Sequence, residues 1–580
     1  MLSGHDTSAN ERVKLVYQEE AGREVELPLR ILVIGNFSNR KRWSDETPEV
    51  VEVDLSNLDE VMQLRGIEIA MDLALPLLGK TEELSFTLEL HSFEDFHPDN
   101  LLNCFQEGKD LLVAREVLDK LKAGGPLEKS EEAILLLYED FFHQQYGRQP
   151  NEASGNPFPF DHAKAKLDEA LNILLNAVMH HSEYRSTEQL WRSLDYLFRF
   201  SPFDKNCRID ILDVSREELL DNFKYSDVIH QSWIYQIVYS DEFSHYGGEP
   251  YSAVILAEAV TPSASDMDLL EYMANIGHMA HLVVLSAADR DFFEVNGLSA
   301  FSTSEPLAHW MEQPRFARWR KLRQKAEVRN VGLFMPSFML RPPFHYRYDQ
   351  VHGCRYVEEG RPLYGNAAFA YVCNMIRSFS EFRWCLHTTG EDSGGVQLPD
   401  DAYRPQDEST KPHWLLDFHL SERQEKDLLE QGFSPVCWNS QTQGLVIQSA
   451  FSIVEINARI LDKATYFKQV LEAQLPYNLV VCRLAHYLKA LQRDRIGSFA
   501  SSVELESELN TWLVGYVSDS DNPLPSVRAR RPLRRAQVKV SPISGHPGVY
   551  NMSLQIVPHF KHMGMMVTLT TDGELGVQTS

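Results

Sequence analysis

The sequence predicts an α+β (mixed α/β) chain of several domains, and three observations carry that expectation. Its 580 residues exceed what one core holds, since roughly 150 residues per domain suggests about four units. With 43% hydrophobic and 24% charged residues, it has the apolar content to bury sizeable cores and is not disordered overall. Short apolar strand runs then alternate with helical patterns from about residue 208 to 448, as mixed folds do.

Taken in order, Val13, Leu15 and Tyr17 share one face of an early strand. Pro28 leads into the buried-strand run Ile31 to Gly35, and Leu84, Phe86, Leu88 and Leu90 alternate with Ser85, Thr87 and Glu89 in a further strand. Asp99 to Leu121 reads as a helix stopped by Ala123-Gly124-Gly125-Pro126. Glu128 to Tyr146 carries Ile134, Leu137 and Phe141 at core-like helical spacing, and helical segments resume from Leu167 to Phe198. Arg208 to Leu212 is a strand that runs into Ser215 and Glu218, the two ends of a capping box. Val254–Leu256, Leu282–Leu285, Val331–Phe334 and Val446–Ile447 read as short buried strands. Helices are expected over Asn457–Leu471 and Asn478–Arg493. The chain ends in two alternating strands, one with Tyr550, Met552, Leu554 and Ile556 on a face, the other with Met565, Val567 and Leu569.

Local chemistry is sparse. Gly79-Lys80-Thr81 ends like a phosphate loop, but Ala74 stands at its first glycine and Pro76 lies inside it, where free N–H groups would be needed. Gly390 to Gly395 is glycine-rich, yet Glu391 and Asp392 would repel a phosphate. Asp519 to Asn522 opens like a calcium loop and fails at Leu524 and Arg530, the turn and bidentate positions. No His-Glu-x-x-His or Gly-x-Ser-x-Gly occurs. No catalytic, cofactor-binding or metal residue is therefore assigned, and no cofactor is expected. The alternative is a cytoplasmic α/β enzyme whose site assembles only in space.

The 83 acids against 56 bases give a formal charge of −27, which disfavours a nucleic-acid partner because an acidic surface repels phosphate. The seven cysteines are scattered without clip spacing, as buried reduced thiols would be. No apolar leader precedes Asn10 and no run reaches the roughly 18–20 residues of a membrane span, so a soluble, cytoplasmic protein without membrane insertion is expected. Arg528, Arg530, Arg531, Arg534, Arg535 and Lys539 form a stripe with no acid between Ser526 and Ser541. It is either a solvated strand edge or a basic surface for an acidic partner, which could be another copy of the chain.

Several segments together resemble the contractile sheath of the bacterial type VI secretion system. Arg12-Val13, Glu26-Leu27-Pro28, Val51 to Asp54 and Ser92 to Phe96 resemble the small subunit (TssB or VipA type) over about 11–122. Over about 165–571 the chain resembles the large subunit (TssC or VipB type). There the motifs are Trp191 to Leu197, Tyr246 to Tyr251, Gly365 to Ala370, Ala485 to Lys489, Arg493 to Phe499, Pro532 to Ala536, Gly545 to Tyr550 and Pro558 to Phe560. The two subunits are usually separate chains and are joined here through about 124–155.

The resemblance implies a contractile-tail-sheath-like protomer that polymerises into a helical tube around an inner tube (Hcp-like), attaches to a baseplate and contracts to deliver effectors. The expected regions are 1–123, small-subunit-like with an arm strand; 124–164, the join and outer helical segment; 165–450, large-subunit-like; and 451–580, inner-layer helices and C-terminal arm strands. Neighbours would be linked by strand exchange in an intersubunit sheet, through Val13, Leu15 and Tyr17 at one end and the faces of 550–556 and 565–569 at the other. The family's contracted sheath is dismantled by a ring-shaped AAA ATPase that grips a helix. Glu131 to Phe142 is the nearest apolar helical stretch here, open to that use or to packing.

Overall fold

The computed structural model describes residues 17–18, 24–40, 47–78, 80–152, 157–226, 228–244, 248–293, 307–349, 355–393, 395–398, 415–439, 444–456, 463–494, 502–518, 527, 530–542, 550–562, 565–567 and 571–575. Its centre is a seven-stranded sheet. The strand order is Ser434–Pro435, Val331–Met335, Val283–Ala287, Ala253–Leu256, Leu29–Gly35, Cys207–Asp213 and Val50–Val53. All neighbours are parallel except the last pair. A parallel sheet is covered on both faces, which explains why these strands read as near-continuous apolar runs.

Side chains of Leu29–Gly35 divide between the two faces with the period of two that a strand imposes. Leu29, Ile31 and Val33 enter one core with the helices Phe160–Met179, Ser182–Phe200 and Ala367–Phe382. Leu32 and Ile34 enter the other, with Arg216–Tyr225, Ala264–Ala280 and Ala317–Arg323. This strand, from the small-subunit-like region, lies between Cys207–Asp213 and Ala253–Leu256 of the large-subunit-like region. The two regions share one sheet.

The expected strand 84–90 is the end of an eleven-residue strand, Lys80–Leu90, paired throughout with Ile67–Leu77. Lys80 and Thr81 stand opposite Leu77 and Pro76 in this strand pair, so a strand and not a phosphate-binding helix follows Gly79. The helix expected over 99–121 is two, Pro98–Leu101 and Gln106–Lys122. Phe105 takes extended backbone between them and buries its ring. The stretch 128–146 is likewise two helices, Lys129–Leu137 and Glu139–Tyr146, meeting at Tyr138.

Gln106–Lys122 packs on Phe160–Met179, linking the two sides of the join. Arg115 meets Asp168 at 2.6 Å, and Lys122 and Lys164 meet Asp161 and Asp119 at 2.5 Å. Ser215 and Glu218 form the capping box that their spacing predicts.

A third core is built from Leu475–Asp494, Ser502–Val514 and a three-stranded antiparallel sheet ordered Leu533–Pro542, Tyr550–Pro558, Thr571–Leu575. Leu27 and Trp384 complete it. Of the arm residues, Tyr17 lies in a short hairpin against Val25, while Val13 and Leu15 fall outside the described residues. Met565–Val567 pairs with Phe560–His562, and Leu569 also falls outside.

Candidate functional site

Two places gather the residues that the sequence singled out: the C-terminal sheet, and the contacts that hold the Leu29–Gly35 strand inside the central sheet.

In the C-terminal sheet, Met552, Leu554 and Ile556 point into the chain's own core and are at most 4% exposed. They alternate with Ser553 and Gln555, as the strand period requires. A neighbouring strand could meet this sheet only through main-chain groups at its edge and not through these side chains. The basic stripe runs along Leu533–Pro542. Arg535, Gln537 and Lys539 are exposed on one face while Val538 and Val540 are buried on the other. Arg535 stands opposite Val557 and Lys539 opposite Ser553, so the adjoining strand places no acid beside either base. Arg534 is half-buried and Arg531 exposed; the carbonyl of half-buried Arg530 accepts from Trp384 Nε1 at 3.1 Å. Arg528 lies outside the described residues. The stripe is thus one strand face with flanking arginines, and its C-terminal half is solvated.

The segment entering the central strand is held by the Leu475–Asp494 helix. Leu27 N donates to Tyr487 Oη at 2.8 Å, and Arg483 Nη2 donates to Leu27 O at 2.8 Å. One turn away, His486 Nε2 lies 3.1 Å from Ala280 O, and Lys489 Nζ donates to Met279 O at 3.4 Å beside the Tyr239 and Phe243 rings. Burial pulls the His486 imidazole down to about 3 and the Lys489 ammonium down to about 7. The Ala485 to Lys489 motif is therefore a set of ties to two other elements.

Three other motifs, those containing Trp191, Tyr251 and Asn366, make comparable ties. Asp210 accepts from Arg30 Nε at 2.6 Å and from Tyr251 Oη at 2.7 Å, while Arg30 also meets Glu242. Arg208 reaches Glu249 at 2.6 Å. Trp191 Nε1 donates to Phe37 O at 3.1 Å, and Asn366 Nδ2 to the carbonyls of Leu256 and Ala257 at 3.1 and 3.0 Å. Sequence reading missed the most buried charge cluster. Arg341 spans Glu188 (2.7 Å) and Glu358 (2.6 Å), and Arg192 adds a second bond to Glu188 at 2.7 Å. Burial pushes Glu188 up, but Arg341 and Arg192 outweigh it and hold the carboxyl down at about 2. Glu188 and Arg192 are an i,i+4 pair on one helix, but Arg341 lies 153 residues from Glu188, so no local spacing could reveal the cluster.

A cavity of about 630 Å³ opens at the carboxyl ends of the parallel strands, lined by Asn36, Glu183, Arg185, Arg290, Arg361 and Asp417 among others. Several of its charges are paired: Asp417 Oδ1 accepts from Arg290 at 3.1 Å and from Arg361 at 3.3 Å, and Arg216 donates to Asp266 at 2.6 Å. Among the described residues, no histidine or cysteine lines it. Among the described residues there is no cluster of three or more metal-ligating side chains, and no helix is long and apolar enough to cross a membrane. Burial pushes the thiols of Cys104, Cys373, Cys385 and Cys482 up to about 12, the opposite of an activated nucleophile. In the join, Leu135, Phe141 and Phe142 are buried, while Leu136 and Leu137 are 59% and 64% exposed.

Comparison with known proteins agrees with this architecture. Residues 5–141 match the type VI secretion system VipA family, residues 161–454 the VipB tail sheath N-terminal domain, and residues 464–575 the VipB tail sheath gpW/gp25-like domain. The chain is 32% identical over 417 residues to the type VI secretion system sheath protein TssC1 of Pseudomonas aeruginosa, covering 70% of this chain and 83% of that protein. A chain in the cryo-EM structure of the anti-feeding prophage (AFP) baseplate, 6-fold symmetrised, overlays 66% of this chain and 80% of its own length. Its TM-score is 0.36 at 10% identity, too distant to bear on function. A central strand from a VipA-type region inside a VipB-type sheet, both in one polypeptide, means that the chain belongs to the type VI secretion contractile sheath family, as a structural protomer in which the small and large subunits are fused.

Proposed function

We propose that this protomer polymerises in the cytoplasm into a sheath around an Hcp-like inner tube seated on a baseplate, and that it works by changing lattice packing without catalysis. The carrying observation is the C-terminal three-stranded sheet, whose Thr571–Leu575 strand has no further strand paired on its outer edge among the described residues. An unpaired edge is a template for another chain, and a repeated heterologous contact that does not close yields a filament.

The arm residues Val13, Leu15 and Tyr17 and the 565–569 strand are the exchanging elements in this reading, and Tyr550–Pro558 is the middle strand of the sheet they extend. Arg535 and Lys539, with Arg528, Arg530, Arg531 and Arg534, supply a contact to a neighbour or to the tube. Exposed Leu136 and Leu137 are the apolar side chains of the join open to a recycling AAA ATPase. The free energy for contraction would be stored as the difference between two packings of one subunit.

Purified protein viewed by negative-stain electron microscopy should form hollow tubes or cogwheel-like cross-sections. Deleting residues 1–17 should leave a folded protomer of unchanged circular dichroism that no longer forms long tubes. A discrete small oligomer at high concentration would sink the sheath reading, and unchanged contractile tubes after the deletion would sink the arm assignment.

A further inference from the structure

The two edges of the C-terminal sheet are not equivalent. Along Leu533–Pro542, residues alternate between bonding inward to Tyr550–Pro558 and pointing their N–H and C=O outward, as an antiparallel ladder requires. Two successive outward positions, Val538 and Val540, are bonded from the helix side. Val538 N donates to Asn510 Oδ1 at 2.9 Å, and Asn510 Nδ2 donates back to Val538 O at 2.8 Å. One residue's N–H and C=O both bonding the same partner is the pattern of a hydrogen-bonded antiparallel pair. The side-chain amide of Asn510 stands in for the neighbouring strand's peptide.

Two residues on, Val540 N donates to Glu506 Oε2 at 2.9 Å. The spacing explains why a helix can do this: four helical residues rise about 6 Å, and two strand residues about 6.8 Å. Residues i and i+4 of Ser502–Val514 therefore match i and i+2 of the strand. Closure continues at both ends. Ser518 N donates to Leu533 O at 2.8 Å, and Pro542 has no N–H to offer.

We infer that Glu506 and Asn510 plug the outer edge of the Leu533–Pro542 strand against strand addition, so that the sheet offers a second copy of this chain one edge only, that of Thr571–Leu575. The inference rests on the reading that protomers join through this sheet. Its consequence is directional: with one edge shut, each sheet has a single side on which a neighbour's strand can be added, and growth stays ordered. An edge left open on both sides is an aggregation hazard.

Hydrogen exchange on the full-length protein tests the plug separately from assembly. In the Glu506→Ala/Asn510→Ala variant, the Val538 and Val540 amides should exchange about tenfold faster or more, the loss expected for one hydrogen bond each. Lys539, which bonds inward, should stay protected. Glu506→Gln keeps an acceptor and should leave Val540 protected, which separates the plug from a general loosening of the fold and serves if the double variant is unstable.

In electron micrographs the double variant should give laterally joined or irregular polymers where the parent gives uniform tubes. Unchanged exchange at both amides overturns the plug. Faster exchange with unchanged uniform tubes overturns its control of growth. If the parent forms no tubes, the sheath reading fails on its own, while faster exchange with new aggregation of the double variant still supports the plug and faster exchange without it does not.

Discussion

At the scale of single residues, the molecule invests most heavily in Arg341. Its guanidinium is 5% exposed and divides between Glu188 and Glu358, whose side chains are 0% and 1% exposed. Without that cation Glu358 would lose its buried counter-ion and Glu188 would keep only Arg192, and breaking such a buried pair costs about 3–5 kcal/mol. Arg341→Met should therefore lower the apparent melting temperature strongly, read by scanning calorimetry near neutral pH. The pH dependence has a defined sign. Glu188 is held at about 2, below its ordinary value of 4.5. Its contribution is present above the unfolded value and lost as pH falls toward 2. The melting difference between parent and Arg341→Met should shrink as pH drops from about 5 toward 2. A gap that stays constant over that range would remove the assignment of this cluster as an acid-labile brace.

At the scale of elements, the Leu475–Asp494 helix works as a latch on the segment that feeds the central strand. Tyr487 Oη takes the Leu27 N–H in a fully buried setting, so Tyr487→Phe strands a buried donor at a cost of about 1–3 kcal/mol. The expected result is faster exchange at the Leu27 amide and a lowered melting temperature with the secondary structure intact; an unchanged Leu27 amide would remove the latch. How far such elements could be read in the sequence follows from what specifies each. Ser215 and Glu218 announced their capping box because a cap is a local bargain between residues three apart. The buried strands were legible as apolar runs, which is why 253–256, 283–287 and 331–335 fall within a residue or two of their expected bounds. Ile67–Leu77 carries the same kind of signal, with Ile67, Ile69 and Met71 alternating with Glu68, Ala70 and Asp72. The breaks at Phe105 and Tyr138 were not legible, because continuous helical patterning hides a bend that tertiary packing imposes. Sheet-edge capping by Glu506 and Asn510 was equally hidden, since polar residues four apart on a helix ordinarily face solvent.

At the scale of the whole chain, the length that suggested separate domains is explained by interleaving. Leu29–Gly35 gains its hydrogen bonds from Cys207–Asp213 on one side and Ala253–Leu256 on the other, and its two faces feed two different cores. A fragment ending before the join would keep that strand with neither neighbour, leaving both edges of a strand that is apolar apart from Arg30 unpaired. The native contacts that cross the join, including Arg115 with Asp168 and Lys164 with Asp119, belong to the folded state and do not need the peptide link itself. Introducing a specific protease site between residues 152 and 157 and cutting the folded protein should then leave the two pieces associated through gel filtration, with the melting temperature little changed. Expressed alone, 1–152 should be insoluble or bound to chaperones, and co-expression with 157–580 should rescue it. The link instead governs encounter: joined, the strand finds its slot as an intramolecular event at a fixed one-to-one ratio, so refolding of the cut pieces should slow on dilution while the intact chain does not. Separation of the pieces under native conditions would mean that the shared sheet is not what holds the two regions together.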